Sequence, residues 1–93
     1  MSYILLTADF PGVNSAQRTK IYECLEKELW NKVAEPGRDI STVWFAAFKE
    51  DVTEKSAIQI AINDFEGCAK PYGCKPKLVI HWGPNRPTFH GLT

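Results

Sequence analysis

Apolar and polar residues alternate with a period of two from Tyr3 to Phe10. Ile4, Leu6, Ala8 and Phe10 share one face, and Tyr3, Leu5, Thr7 and Asp9 share the other. The first face is wholly apolar and the second half apolar, which predicts a strand inside a sheet rather than at its edge. Pro11 and Gly12 cannot extend the ladder, so a turn follows. The period then lengthens. Ile21, Cys24, Leu25 and Leu29 recur at helical spacing, with Arg18, Lys20, Glu23, Glu26 and Lys27 on the other faces. A helix is predicted from about Ser15 to about Leu29. Asn14 can cap it, with Gln17 at the capping-box position and Ser15 as the competing cap.

Trp30–Ala34 fits either a short edge strand, the reading preferred, or the last turn of that helix. The turn-forming run Glu35-Pro36-Gly37-Arg38-Asp39 comes directly after it. Ile40–Phe48 is rich in β-branched and aromatic residues. Val43, Phe45 and Ala47 oppose Trp44, Ala46 and Phe48, so both faces are apolar and this strand too should be central. Thr53 caps a second helix whose inward stripe is Ile58, Ala61, Ile62, Phe65 and Ala69, widened by Ile60. Gly67 and Pro71 bracket its end. Lys77–Trp82 forms the last strand, with Leu78, Ile80 and Trp82 opposing Val79 and His81. Residues 83–93 carry Pro84 and Pro87 and read as an extended tail.

The order strand, helix, strand, strand, helix, strand implies an α+β domain over residues 1–93, of ferredoxin-like βαββαβ topology. In it a four-stranded antiparallel sheet carries both helices on one face. The first and third strands are central there, matching the two strands with apolar residues on both sides. The other face would then be bare: Tyr3, Leu5, Thr7 and Asp9, alternate residues of Ile40–Phe48, and His81. Such a face needs a partner. A second copy of the chain is the expectation, with a nucleic acid or a small apolar ligand as alternatives. Phe89 and Leu92 would let the tail reach across to a twin, with Phe89 as its anchor.

Composition narrows the function classes. The 93 residues include 11 basic and 11 acidic side chains, so the formal net charge is zero. That balance argues against strong non-specific binding to nucleic acid. An apolar share of 44% and a charged share of 24% exclude disorder. No apolar run reaches the length of a membrane helix, and Met1-Ser2-Tyr3 lacks a basic leader. Three cysteines, Cys24, Cys68 and Cys74, are odd in number and read as structural thiols of a reducing cytoplasm.

The run Thr7-Ala8-Asp9-Phe10-Pro11-Gly12 and the helix Arg18-Thr19-Lys20-Ile21-Tyr22-Glu23-Cys24-Leu25-Glu26 carry a resemblance. They resemble the small ferredoxin-like CRISPR-associated protein that dimerises within the spacer-integration complex. Trp30–Ala34 and Thr42–Phe48 look like its next two strands. GhoS-type antitoxins resemble the same plan. Ala8 stands where that family has an aromatic residue, and Gly12 where it has a second acid. The resemblance implies that Asp9 is a metal-binding acid at a dimer axis, where two copies would hold Mg²⁺. It also implies a C-terminal segment that reaches the partner.

Candidate chemistry is sparse. Apart from the metal role, Asp9 reads as an acceptor of turn hydrogen bonds. His81 could be a general base or a half-buried sheet histidine, and His90 a solvated tail residue. Cys68 and Cys74, with Cys24, His81 or His90, match no zinc spacing. Tyr3, Trp44, Phe45, Phe48 and Trp82 could stack bases, or could pack in the core and at a dimer interface. The candidate binding residues are therefore Tyr3, Asp9, Trp44, Phe48 and His81. Two functions stand against each other. One is a homodimeric interaction protein of a defence or toxin–antitoxin system, with a protein or single-stranded RNA partner and no cofactor. The other is a Mg²⁺-dependent endoribonuclease built on paired Asp9 residues.

Overall fold

The computed structural model describes the backbone of residues 1–35, 38–88 and 90, and the side chains of these apart from 33–42. Six regular elements follow the expected order: β1 (Ser2–Asp9), α1 (Ser15–Lys27), β2 (Asn31–Glu35), β3 (Arg38–Phe48), α2 (Glu54–Ala69) and β4 (Lys77–Gly83). A 3-10 turn, Lys70–Tyr72, follows α2. The strands form one antiparallel sheet in the order β2-β3-β1-β4, the ferredoxin-like arrangement. The choice left open at Trp30–Ala34 resolves as an edge strand, β2, which starts one residue later and ends at Glu35, with an irregularity in its pairing between Lys32 and Ala34. The other edge strand, β4, is bracketed by Pro76 and Pro84.

The core explains why the layers sit as they do. Ile4, Leu6 and Ala8 of β1, Phe10 just after it, and Trp44 and Ala46 of β3 are buried against Ile21 and Leu25 of α1 and Ala57, Ala61, Phe65, Cys68 and Ala69 of α2. Every sheet residue in that set has the same parity, so both helices cover the same face. Phe65 sits at the centre. Its ring lies 5.0 Å from that of Trp30, 6.1 Å from Trp44 and 6.3 Å from Phe10. The stripe expected of α2 is rotated. Ala57 and Ala61 lie at the closest approach, Ile58 and Ile62 are half-buried on the flanks, and Ile60 is 42% exposed. Small residues on the inner line of α2 leave the volume for the aromatic rings.

Local chemistry sets the element ends. Gly12, with φ +81°, makes the turn after β1. Asn14 caps α1: its side chain accepts from the Gln17 amide (2.8 Å), and the Gln17 side chain accepts from the Asn14 amide (3.1 Å). Thr53 caps α2 in the same way through the Ser56 amide. Helix α1 stops two residues before the expected Leu29. Leu29 adopts φ +69° and is 80% exposed, so it is not on the inward stripe. The Leu29 amide donates to Glu26 O and the Trp30 amide to Leu25 O, each at 3.0 Å, closing a Schellman motif with Trp30 and Leu25 both buried. A leucine in the left-handed region is strained, and its side chain is exposed here. Leu29→Gly should therefore stabilise the protein by about 0.5–1 kcal/mol in urea unfolding. A loss of stability would contradict this account.

The cysteine reading requires correction. Cys24 of α1 and Cys68 of α2 form a disulfide with Cα atoms 5.7 Å apart, and only Cys74 is a thiol, buried. Both residues fall on the inward sides of their helices, which the shared face brings together. This removes the premise of unpaired thiols on which a reducing compartment was expected. No helix of the described residues is long and apolar enough to cross a membrane.

Residues 84–88 of the tail line a groove against the protomer's own sheet, with the Arg86 guanidinium over the Phe45 ring. Phe89 and Leu92, on which an arm toward a partner was expected to rest, lie outside the described residues, as do Pro36 and Gly37 of the turn between β2 and β3.

Candidate functional site

The sheet face away from the helices is built from three registered rows. Phe45, Leu5 and His81 form the first, Ala47, Tyr3 and Gly83 the second, and Val43, Thr7 and Val79 the third. Asp9 stands opposite Lys77 beyond them. The tail lies over the first two rows. The Arg86 guanidinium carbon stands 5.5 Å from the Phe45 ring centre. Between tail and sheet runs a groove of about 310 Å³, with Tyr3, Leu5 and His81 on the sheet side and residues 83–88 on the other. The third row stays open, and Val79 is 72% exposed.

The structure splits the expected site residues. Tyr3 and His81 meet in the groove. His81 is exposed rather than half-buried. Asp9 lies on the same face but at the far end of β1, exposed. Trp44 and Phe48 point the other way. Trp44 is fully buried beside Tyr22 and Phe65, and its Nε1–H has no hydrogen-bond partner among the described residues. Phe48 is half-buried between Trp30 and Trp82. A single stacking platform of Tyr3, Trp44, Phe45, Phe48 and Trp82 is therefore not formed, because residues of opposite parity cannot share a face. Only Tyr3 and Phe45 face outward, and the Phe45 ring carries Arg86. His90 hydrogen-bonds Thr88 at 2.9 Å.

Arg86 and Asn85 escaped the sequence reading. Their signal was a cation between two prolines, Pro84-Asn85-Arg86-Pro87, a stiff segment able to hold a side chain in place.

Asp9 does not sit in an acidic cluster. Among the described residues no three His, Cys, Asp or Glu side chains gather where they could hold a metal ion. Mg²⁺ asks for near-octahedral oxygen ligation, and one carboxylate at a strand end does not supply it. The resemblance implies two Asp9 carboxylates paired across a dimer axis, and one protomer supplies one of them. The Asp9 charge acts elsewhere. Burial, and secondarily the nearby Asp9 carboxylate, push the Cys74 thiol above its ordinary value of 9.0. The unfolded thiol ionises near that value while the folded one holds its proton, so the unfolded state binds fewer protons there. Stability must then fall as the pH rises through this window. In urea titrations the advantage of wild type over Cys74→Ala should narrow between pH 7 and pH 10, values about two units below and one above that ordinary value. A constant gap would contradict the shift.

A second cavity, of about 480 Å³, opens between the end of α2 and the start of β4. Ile62, Cys74 and Leu78 line it, with Glu66, Lys70 and Lys75 of mixed sign. No protein-family model matches the chain, and searches of curated proteins and of solved structures find no match either.

Proposed function

We propose that this chain is a non-catalytic interaction protein that works as a homodimer, joined through the part of the sheet face its tail leaves open. The observation that carries the reading is the uncovered third row, with Val79 at 72% exposure on the sheet face opposite the helices. Half-buried Val43 extends the row, and nothing else among the described residues covers it. Self-association is the commonest way to cover such a surface, and two-fold symmetry the commonest geometry. The patch also ends in opposite charges, Asp9 beside Lys77, so a copy turned by two-fold rotation can set acid against base. The strand-end resemblance supports a setting in a defence or toxin–antitoxin system, with a protein or single-stranded RNA as the further partner.

Sedimentation of the full chain at micromolar concentration tests the reading. A dimer is expected, and Val79→Glu should convert it to a folded monomer. A wild-type monomer with a native spectrum would overturn it. The nuclease alternative has no supporting donor set in the protomer. Mg²⁺-dependent cleavage of single-stranded RNA by wild type, lost in Asp9→Asn, would favour that alternative over the dimeric interaction protein.

A further inference from the structure

We propose that the groove between sheet and tail binds a small organic phosphate that carries a flat ring, an anion of the mononucleotide class. The inference is independent of the dimer, which uses the other part of the face. The volume of about 310 Å³ lies at the lower end of small-molecule sites. Its described lining is one-sided in charge. Arg86, His81, Tyr3 and Asn85 all bring hydrogen-bond donors, and none of the described lining residues is a carboxylate. Asp9 is four residues along β1 from Leu5, ~13 Å away at the rise of a strand.

Arg86 is prepared for an anion. Its guanidinium carbon stands 5.5 Å over the centre of the Phe45 ring, a cation–π placement that uses no N–H hydrogen bond. No carboxylate of the described residues pairs with it. Pro84 and Pro87 on either side restrict the backbone that carries it, so little freedom is lost on binding. Phosphate fits these donors better than carboxylate. A phosphate monoester presents three terminal oxygens, enough for the Arg86 fork together with His81 and a hydroxyl or amide donor. The rest of the lining is apolar and flat: the Tyr3 ring, Leu5, Pro84 and Pro87. Those surfaces suit the two faces of a planar ring rather than a second charge.

The test is titration of the isotopically labelled full chain with AMP, followed by backbone amide NMR. AMP should shift the amides of Tyr3, Leu5, His81 and Asn85–Thr88. Adenosine, ribose 5-phosphate and inorganic phosphate should each bind about tenfold or more weakly, since each lacks the ring or the phosphate. Arg86 is exposed, so Arg86→Ala should keep the wild-type melting temperature while weakening AMP about tenfold or more. Absence of shifts with millimolar AMP overturns the proposal. So does equal binding of inorganic phosphate, unchanged affinity in Arg86→Ala, or an oligoribonucleotide that shifts these amides when AMP does not.

Discussion

Phe65→Ala should lower the unfolding free energy by about 3–5 kcal/mol. The side chain is fully buried, and its ring meets those of Phe10, Trp30 and Trp44, which come from the end of β1, the residue before β2, and β3. Removing it leaves a cavity under both helices. It also strips the aromatic contacts, each worth about 0.5–1.5 kcal/mol beyond its area. Relaxation is limited because the cavity walls are held by the sheet on one side and by Ala57 and Ala61 on the other. A domain of this size has about 5–15 kcal/mol in all, so the loss should move the melting temperature by more than about 10 °C. Phe65→Leu, which fills most of the space, should cost clearly less. An unchanged melting temperature in Phe65→Ala would contradict the packing.

Opening the Cys24–Cys68 bridge should cost about 2–4 kcal/mol. The bridge spans 44 residues and encloses β2, β3 and most of α2, so its loss frees a large part of the unfolded chain. It ties helix to helix and leaves the strand ladder untouched. Reduction should therefore raise amide exchange in α1 and α2 before β1 and β3, whose backbone bonds are independent of it. Urea unfolding with and without reductant measures the effect. The double variant Cys24→Ala/Cys68→Ala should match the reduced protein, and Cys74→Ala should still respond to reductant. Identical curves for oxidised and reduced wild type would refute the stabilising role.

The sheet was legible because strand parity is a local property. Ile4, Leu6 and Ala8 announce one face of β1 and Trp44 and Ala46 one face of β3, and all five are buried. The Asn14–Gln17 box is equally local. The misreadings need information from beyond a helical turn. Leu29 keeps helical spacing after the helix has ended, and no glycine marks the stop; the buried Leu25–Trp30 pair was the available clue. Cys24 and Cys68 sit far apart in the chain, and their pairing follows only once both helices are known to share a face. The groove was missed because the tail was read through Phe89 and Leu92. One contact of its described part with the sheet is a cation over an aromatic ring, and Arg86 over Phe45 leaves no periodic trace in a sequence.

The two outer strands bear on how copies of this chain can meet. Each presents a row of unpaired backbone N–H and C=O groups, the template on which sheets grow into larger ribbons and fibrils. Here β4 offers only seven residues, stopped at both sides by Pro76 and Pro84, and β2 offers five, with its pairing to β3 shifted between Lys32 and Ala34. Prolines supply no donor to an incoming strand, and an irregular ladder twists the rim away from a flat neighbour. Lys77 at the first position of β4, with Lys75 just before it, adds charge to the edge itself. Continuous growth at the rim is thereby disfavoured, and the proposed dimer, which would stack two sheets face to face, would close after two copies rather than seed a polymer.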